Sequence, residues 1–411
     1  MSPTLAEVRA WDAADPLAAF KRRFTLPEGV IYLDGNSLGA LPAAVPGRLG
    51  AAVTDEWGRS LIRGWNDHDW IGAPARVGGR IADLIGAKPS EVVVADSTSV
   101  NLFKLIVAAI ARQAPRKTII AEPGNFPTDL YVAQGVAGHF GGVRLRTVAA
   151  DGVLDAIDED TALVMLTHVH FKTGARHDMA AITARAHAAG ALMLWDLCHS
   201  AGAIEVDLAG VDADLAVGCG YKYLNGGPGA PAFLYVAERL QGELASPLTG
   251  WMGHAAPFAF GDDYRPAPGI DRFLAGTPPV LGLAALECAL EAFDGAPMAA
   301  VEAKGQRLCS LFIDLVEDRC AGFGLKLVTP RDPSARGTHV SFSHPDGYPV
   351  MQALIERGVI GDFRAPEVLR FGFTPLYLSF EDVWRAVEIL RDVLAEESWR
   401  APRFQTRARV T

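Results

Sequence analysis

Short apolar runs rich in β-branched residues alternate with longer stretches in which apolar residues recur every three or four positions over residues 30–236. The first pattern is typical of buried strands and the second of amphipathic helices. It predicts strands at Val30–Leu33, Glu91–Ala95, Thr118–Glu122, Arg144–Val148, Ala162–Thr167, Ala191–Asp196, Ala213–Gly218 and Ala232–Val236. Strands that alternate with helices indicate an α/β domain built on a largely parallel sheet.

The pattern changes near Met298, where a long helix is predicted to run to about Arg319. Strands near Leu325–Thr329, His339–Ser343 and Val368–Phe373 and a closing helix over 380–394 follow. Ser379 with Asp382 three positions on predicts a capping box at the start of that helix. We therefore expect three parts: an N-terminal segment (1–29) packed on the small domain, a large α/β domain (30–296) and a small α+β domain (297–411).

Composition narrows the class of protein. A chain of 411 residues exceeds the roughly 250–300 residues at which one hydrophobic core stops growing, so two lobes are expected. With 50% hydrophobic and 21% charged residues the chain is not globally disordered. The net charge of −10 gives no overall attraction to nucleic acid or to an anionic membrane, and we expect neither as a partner.

The five cysteines and the N-terminus bear on the compartment. Five is an odd number, and no CxxC pair or secreted-framework spacing is present. The first residues carry acids early and lack an apolar core with a cleavage site, and no uncharged apolar run approaches the roughly 18 residues of a membrane helix. These features favour a reduced, cytoplasmic protein.

The stretch AVGCGYKYLNGGPG carries a lysine from a predicted strand into a loop rich in Gly and Pro. Lys222 stands between Tyr221 and Tyr223, where a solvated lysine is out of place. A lysine kept from water has a depressed pKa and a usable neutral amine, which Schiff-base chemistry with a carbonyl cofactor requires. The alternative is a lysine at a strand end whose charged head reaches solvent.

A second stretch, LMLWDLCHSAG, ends a predicted strand at Asp196 and places His199 three positions later. Asp196 alone is compatible with an ordinary helix N-cap. Because Lys222 follows at the end of what should be a neighbouring strand, we interpret Asp196 as a carboxylate that faces a pyridine nitrogen. Such a carboxylate keeps the ring protonated and makes it an electron sink.

Two further loops could hold the rest of such a cofactor. Ser97, Thr98 and Ser99 lie between a strand and a helix, where hydroxyls and free N–H groups favour a phosphate. Taken alone, these residues are better explained by ordinary helix capping. In EPGNFPTDLY, Phe126 precedes a proline and can stack on a planar ring, with Asp129 close behind; core packing is the alternative for Phe126. No GxGxxG follows a strand and no GxxxxGK[ST] is present, which excludes a dinucleotide site and a P-loop triphosphatase.

These motifs resemble those of the kynureninase family, within the class V aminotransferase-like group of fold-type I pyridoxal 5′-phosphate (PLP) enzymes. The Asp-x-x-His pair with a lysine after the next strand is shared with cysteine desulfurases and several aminotransferases. More specific motifs span nearly the whole chain in order: YLDGNSLG (32–39), NFPTDLY (125–131), WDLCHSAGA (195–203), GYKYLNGGPG (220–229), GWMGH (250–254), GTPP (276–279) and LRFGFTPLY (369–377). The match is with bacterial-type members.

The resemblance implies a fold, a cofactor and a reaction. The fold would be a mainly parallel central sheet with helices on both faces plus a smaller α+β domain, and the cofactor would be PLP. The reaction would be hydrolytic Cβ–Cγ cleavage of L-kynurenine, and of 3-hydroxy-L-kynurenine, to anthranilate or 3-hydroxyanthranilate and L-alanine. Such a reaction serves tryptophan catabolism or NAD biosynthesis. The protein would be a homodimer whose active site is shared between subunits.

The resemblance also implies roles for individual residues. Lys222 would carry the cofactor, Tyr221 would act as an acid or proton relay, and Asp196 would pair with the pyridinium nitrogen. The remaining cofactor contacts would be Ser97, Thr98 and Tyr221 at the phosphate, Phe126 stacked on the ring, His199 beside the ring hydroxyl, Thr167 and Asp129 in the same pocket, and Trp251 and Thr277 from the partner subunit. Departures from relatives at Ser97, Met252 and Cys198 are modest, and the hydroxyl survives at Ser97.

Substrate contacts follow in the same way. Arg370 resembles the arginine that binds the amino-acid carboxylate, a task suited to a bidentate guanidinium. The stretch GWNDHDW supplies Trp65, His68 and Trp70 for the aniline ring, and we take Trp65 as the candidate. Core or loop packing is the alternative for each of the three.

Two other enzyme classes compete with this interpretation. In THVHFKTGARHD, alternation along a strand would put His168 and His170 on one face, as in a metal-dependent hydrolase, with His177 after them. A cysteine desulfurase or another class V-like enzyme would share the fold. A desulfurase needs a mobile reactive cysteine in the later half of the chain, but Cys288, Cys309 and Cys320 all fall in apolar helical patterns and are predicted to be buried.

Overall fold

The computed structural model describes residues 2–407. The helices are α1 Leu5–Ala13, α2 Val45–Ala51, α3 Gly64–Asp67, α4 Ala73–Leu84, α5 Thr98–Arg112, α6 Pro127–His139, α7 Val153–Ala156, α8 Met179–Ala188, α9 Glu238–Gln241, α10 Val280–Leu290, α11 Met298–Arg319, α12 Gly347–Glu356, α13 Phe380–Ala395 and α14 Pro402–Gln405. The strands are β1 Phe24–Thr25, β2 Ile31–Tyr32, β3 Leu41–Pro42, β4 Val92–Val94, β5 Thr118–Ala121, β6 Arg144–Thr147, β7 Thr161–Thr167, β8 Leu192–Asp196, β9 Leu215–Cys219, β10 Ala232–Val236, β11 Lys326–Leu327, β12 His339–Ser343, β13 Val359–Ile360, β14 Asp362–Arg364 and β15 Val368–Gly372.

The central sheet has seven strands in the order β4-β10-β9-β8-β7-β5-β6. Its pairs are parallel except those of β10, which runs antiparallel to β4 and β9. Strands β7 to β10 are buried at every position, which explains why they read as continuous apolar runs rather than as alternating ones. The seven strands predicted between residues 91 and 236 are confirmed, with ends that differ by at most two residues.

The first predicted strand, Val30–Leu33, does not join this sheet. It is β2, and it pairs in parallel with β13, so that Ile31 lies opposite Val359. The Leu33 amide also donates to the Ile360 carbonyl at 2.7 Å. The expectation that this strand extends the central sheet is wrong. Its apolar composition indicates a strand, but the strand with which it pairs lies more than 300 residues away and cannot be read from the local sequence.

The C-terminal part contains a four-stranded antiparallel sheet in the order β11-β12-β15-β14. Helices α11 and α12 pack on this sheet, and α13 packs on both helices. The long helix predicted from Met298 is confirmed as α11, and the three predicted strands are β11, β12 and β15. Strand β14 was not predicted, since its sequence Asp-Phe-Arg has charged ends. The N-terminal helix α1 packs on α13, with Trp11 in edge-to-face contact with Phe380.

The three-part division of the chain at residues 29 and 296 remains a prediction. Between residues 2 and 407, no helix combines the length and the apolar character needed to cross a membrane.

Candidate active site

A cavity of about 130 Å³ lies where β4, β7, β8 and β9 end at one edge of the central sheet. Ligands of open α/β sheets bind at this edge because loops there leave polar groups free of the ladder. The cavity is lined by Ser97, Thr98, Ser99, Phe126, Thr128, Asp129, Thr167, Asp196, Cys198, His199, Tyr221 and Lys222. Every residue predicted to contact a cofactor from within a single chain is in this set.

Lys222 is buried in the cavity wall three residues after β9 ends. Its Nζ lies 3.1 Å from His199 Nε2 and 5.6 Å from the centre of the Phe126 ring. Burial favours the neutral amine, but the acidic groups around it, Cys219 foremost and Asp196 among them, outweigh burial and raise the pKa of Lys222. The sequence-based expectation of a depressed pKa is therefore wrong for the chain by itself, because it counted burial without the neighbours.

His199 is neutral in this environment. Burial, followed by the charge of Lys222, lowers its pKa well below the usual value. Its Nδ1 is buried and has no hydrogen-bond partner among the described residues. A buried nitrogen of this kind is costly unless a ligand satisfies it, so Nδ1 is a candidate contact for a molecule that enters the cavity.

Asp129 and Asp196 form a carboxyl pair on the cavity floor. Burial, and then the charge of Asp196 and the hydrogen bond to it, raise the pKa of Asp129 well above its usual range. Asp129 is thus the member of the pair that keeps a proton. Asp196 Oδ1 also accepts from the Cys198 amide at 2.8 Å, which fixes the carboxylate at the end of β8.

Asn125 organises the loop before α6 and was not assigned a role from the sequence. Its Oδ1 accepts from the Phe126 amide at 2.7 Å and from the Thr167 hydroxyl, and its Nδ2 donates to Asp129 Oδ2 at 3.2 Å. One buried amide therefore sets the Phe126 ring and the Asp129 carboxyl relative to β7. The sequence feature that could have pointed to this role is the position of Asn125 within the NFPTDLY motif.

The N-terminus of α5 opens on the same cavity. Ser97 is its N-cap and accepts from the Val100 amide at 3.4 Å, so the capping alternative for this residue is realised. Capping leaves other amides of the first turn without an intrahelical partner, and the 15-residue helix directs its positive end toward the cavity. The hydroxyl of Thr98 lies 3.8 Å from Cys198 Sγ, which places it at the wall.

Arg370 is 1% exposed and does not line the cavity. It donates to the Asp362 carboxylate, to the Phe171 carbonyl at 2.6 Å and to the Ser37 hydroxyl at 2.7 Å. Arg364 shares Asp362 and Ser37 with it. Burial opposes ionisation of Asp362, but the two guanidinium groups outweigh burial and lower its pKa.

The YLDGNSLG segment connects this arginine cluster to the lysine loop. Ser37 bonds the two arginines, while the Gly39 amide donates to the Tyr221 carbonyl at 2.8 Å. A Cβ at Gly39 would lie 2.3 Å from the Lys222 carbonyl oxygen, so only glycine allows this approach. The motif thus joins β15 of the C-terminal sheet to the loop that carries Lys222.

Four predicted site residues do not line the cavity of this single chain: Arg370, described above, and the three that follow. Trp251 is 38% exposed and contacts Phe258 edge to face, and Thr277 is exposed. Trp65 is half-buried and packs on Trp70 at 5.9 Å between ring centres. The packing alternative is thus realised for Trp65 within one chain.

The histidines of the metal alternative have separate protein partners. Strand β7 ends at Thr167, so the expected alternation along a strand does not apply to His168 and His170. His168 accepts from Arg176 Nε at 3.3 Å, and His170 Nε2 lies 2.9 Å from the Gly124 carbonyl. Among residues 2–407, no group of three or more His, Cys, Asp or Glu is placed to hold a metal ion.

The cysteines of the desulfurase alternative are all buried, as predicted. Cys288 and Cys309 lie within α10 and α11, and Cys320 follows the last residue of α11. These positions do not present a thiol on a mobile loop.

Comparisons with known proteins identify the relatives of this chain. A family model described as the kynureninase C-terminal domain matches residues 301–390. A protein named kynureninase from Burkholderia pseudomallei (strain K96243) is 54% identical over 99% of this chain and 100% of its own length. A kynureninase from Pseudomonas fluorescens is 53% identical over 98% of both chains.

Solved structures with lower identity share the fold. The apo structure of a cysteine desulfurase from Thermococcus onnurineus NA1 matches 96% of this chain and 100% of its own with a TM-score of 0.76 at 20% identity. The cysteine desulfurase CsdA of Escherichia coli matches 93% and 98%, with a TM-score of 0.75 at 22% identity. At these identities the likeness shows the fold alone, and the predicted fold-type I architecture is confirmed.

Proposed function

The chain belongs to the kynureninase family, and on that premise we propose that it hydrolyses the Cβ–Cγ bond of L-kynurenine to anthranilate and L-alanine with PLP as its cofactor. It is accordingly a PLP-dependent hydrolase of carbon–carbon bonds in ketonic substrates. The observation that carries the residue assignment is the convergence of Lys222, Asp196 and the N-terminus of α5 on one cavity.

The residues of the cavity fit PLP. The buried Nδ1 of His199 lacks a partner among the described residues, as expected of a group that a ligand completes. Lys222 would hold the cofactor aldehyde, Asp196 its ring nitrogen, Phe126 its ring face, and Ser97 and Thr98 its phosphate at the helix N-terminus. When bound, PLP supplies an electron sink for the electron pair left at the substrate's α carbon.

Two side chains, those of Lys222 and Tyr221, are placed to transfer protons during the reaction. The Nζ of Lys222 would be released from the aldehyde when the amino group of the substrate takes its place, and the free amine would then take the proton from the α carbon of the substrate. Burial raises the pKa of Tyr221 to about 12, so its phenol keeps its proton at neutral pH and can return one to the alanine β carbon. Water would add to the γ carbonyl carbon and the Cβ–Cγ bond would break. The acyl group would leave as anthranilate, and the electron pair of the broken bond would remain on the β carbon, which Tyr221 would protonate.

The cluster formed by Arg364 and Arg370 supplies the positive charge that would bind the substrate carboxylate. Burial, with the charge of Asp362, raises the pKa of Asp34 to about 8, so Asp34 is neutral at pH 7. Two guanidinium charges, those of Arg364 and Arg370, then face the single carboxylate of Asp362, and one positive charge is left. This surplus supports Arg370 as the carboxylate anchor, with Arg364 beside it.

We further propose a homodimer in which Trp251 and Thr277 complete the cavity of the partner. Both lie at the surface of the single chain, and Trp251 belongs to a group of exposed aromatic side chains with Phe258 and Phe260. An exposed apolar cluster of this kind is typical of a subunit contact. Trp65 would reach an aniline ring in the same assembly. Five unpaired, buried cysteines accord with a reducing compartment, and we propose the cytoplasm.

Substitution of Lys222 by Ala tests this function. The variant should lose the visible absorption of bound PLP and the release of fluorescent anthranilate from L-kynurenine, because the anchoring amine is gone. Lys117→Ala, at an exposed lysine, is the control and should behave as wild type. Unchanged turnover by the Lys222 variant would contradict the assignment, and sulfide release from L-cysteine by the wild type would favour the desulfurase alternative. Parallel assays with 3-hydroxy-L-kynurenine give the substrate preference.

A further inference from the structure

Lys104 is a fully buried lysine on α5 that does not line the cavity. Its Nζ donates to the Asp96 carboxylate and, at 2.6 Å, to the carbonyl oxygen of Phe273. The two acceptors lie on segments that are 177 residues apart in the chain. One ammonium group therefore bonds the loop after β4 to the end of the 3₁₀ helix Gly269–Phe273.

The first acceptor belongs to the loop at the N-terminus of α5, which we call the phosphate loop (residues 96–98). Asp96 adopts a left-handed backbone conformation, with φ of 49°, directly before the N-cap residue Ser97. A residue other than Gly rarely holds this conformation without support from its surroundings. The bond from Lys104 supplies support at the point where the loop turns into the helix.

The second acceptor begins a segment that we call the arm (residues 273–277), which ends at Thr277. The Ala275 carbonyl of the arm accepts from the Met252 amide at 3.1 Å. A Cβ at Gly250 would lie 2.2 Å from that same oxygen, so the chain around Trp251 is packed directly on the arm. Thr277 thus lies in the segment that Lys104 bonds at Phe273, and Trp251 lies in a segment packed on it.

Burying the Lys104 ammonium costs solvation free energy, so a gain in stability does not by itself explain a lysine at this position. Burial lowers the pKa of Lys104, whereas the hydrogen bond to Asp96 raises it. Replacing a buried ion pair by apolar side chains of similar volume is often neutral or stabilising. A lysine at this position is therefore better explained by what it aligns than by what it adds to the core.

We propose that Lys104 is a positioning residue that holds the phosphate loop in register with the arm. This inference rests on the proposed function, since it assigns the phosphate loop to the PLP phosphate of its own chain and the arm to that of the partner. It predicts that loss of Lys104 weakens cofactor binding specifically through the phosphate group.

Lys104→Met tests this, with Lys304→Met as a matched control. Lys304 is a second buried lysine; its Nζ lies 2.7 Å from the buried Asp15 carboxylate, and it does not line the cavity. Both variants remove a buried ammonium and leave an unpaired aspartate, so both should lower thermal stability. Asp96→Asn, which preserves size, serves if Lys104→Met does not fold.

The readout is the dissociation constant of the apoprotein for PLP and for pyridoxal, which lacks the phosphate, measured by absorbance titration. Loss of a hydrogen bond that orients donors to a charged group should weaken PLP binding by Lys104→Met about tenfold. Pyridoxal binding should be unchanged, and Lys304→Met should bind both ligands as the wild type does.

The inference would be overturned if the ratio of the dissociation constants for pyridoxal and PLP were the same in Lys104→Met as in the wild type. It would also be overturned if Lys304→Met lost PLP affinity to the same extent as Lys104→Met. A wild-type chain that binds neither ligand would overturn the proposed function and this inference with it. A wild type that binds PLP tightly while Lys104→Met matches it would overturn only the role of Lys104.

Discussion

Single carboxyl groups set the charge of the two halves of the site. Asp129 keeps a proton beside Asp196, and Asp34 keeps one beside Asp362, in each case because burial and a like charge disfavour a second anion. In the first pair the Asp129 carboxyl is held neutral at the cavity. The second leaves one positive charge at Arg370, where the substrate carboxylate would bind.

Asp34 makes substrate binding sensitive to alkaline pH. Its pKa of about 8 lies above the ordinary value near 3.8, so the group is neutral at pH 7 and ionises as the pH rises through about 8. Ionisation adds a negative charge beside Asp362 and removes the surplus positive charge. We predict that the KM of the wild type for L-kynurenine rises above pH 8, while that of Asp34→Asn stays level.

The measurement is KM between pH 6.5 and 9.5 for wild type, Asp34→Asn and the exposed control Asp151→Asn. The control should follow the wild type. An Asp34 variant with the same alkaline rise in KM would show that another group titrates in this range.

At the scale of elements, the start of α13 is fixed from two directions. The predicted capping box is confirmed: Ser379 Oγ accepts from the Asp382 amide at 3.0 Å, and Asp382 accepts from the Ser379 amide at 2.9 Å. Asp12 of α1 accepts from the next two amides, those of Phe380 and Glu381, at 2.7 and 2.9 Å. The N-terminal segment is therefore bonded to the positive end of the closing helix.

We predict that Ser379→Ala and Asp12→Ala each lower the free energy of unfolding by about 1 kcal/mol, the usual contribution of a helix N-cap. Because they satisfy different amides, the losses should add in the double variant. Urea denaturation of the holoenzyme measures this, with Ser90→Ala as a control for an exposed hydroxyl. Losses that fail to add would mean that the two caps act as one unit.

At the scale of the whole molecule, the cavity of one chain lacks two predicted contacts. Trp251 and Thr277 lie at the surface, away from the residues that surround Lys222. In a symmetric dimer, a surface segment of each chain can complete the site of the other. Activity would then depend on which chain carries which residue.

A heterodimer of a Lys222→Ala chain and a Trp251→Ala chain, isolated with two affinity tags, tests the shared site. Each homodimer should be nearly inactive. The heterodimer should recover about half the activity of the wild-type dimer, because one of its two sites then has both intact residues. An inactive heterodimer would place Trp251 in the site of its own chain.

Much of this protein is determined by local sequence. The strands of the central sheet, helix α11 and the capping box at Ser379 follow from residue periodicity and from short-range hydrogen bonding, which act over a few residues. Parallel strands end at one edge of a sheet, so the sequence predicts that Ser97, Thr167 and Asp196 lie near Lys222. The roles of Tyr221, His199 and Asp129 rest on the family resemblance.

Only the tertiary structure decided which distant segments pair and what their charges become. It placed Ile31–Tyr32 against β13, Asn125 between Phe126 and Asp129, and Lys104 against Phe273. It also reversed the expected pKa shift of Lys222. Strand pairing and side-chain ionisation depend on residues that the fold brings together from positions hundreds of residues apart. The sequence gives the identity of each side chain but not the charges and burial that surround it in the folded protein.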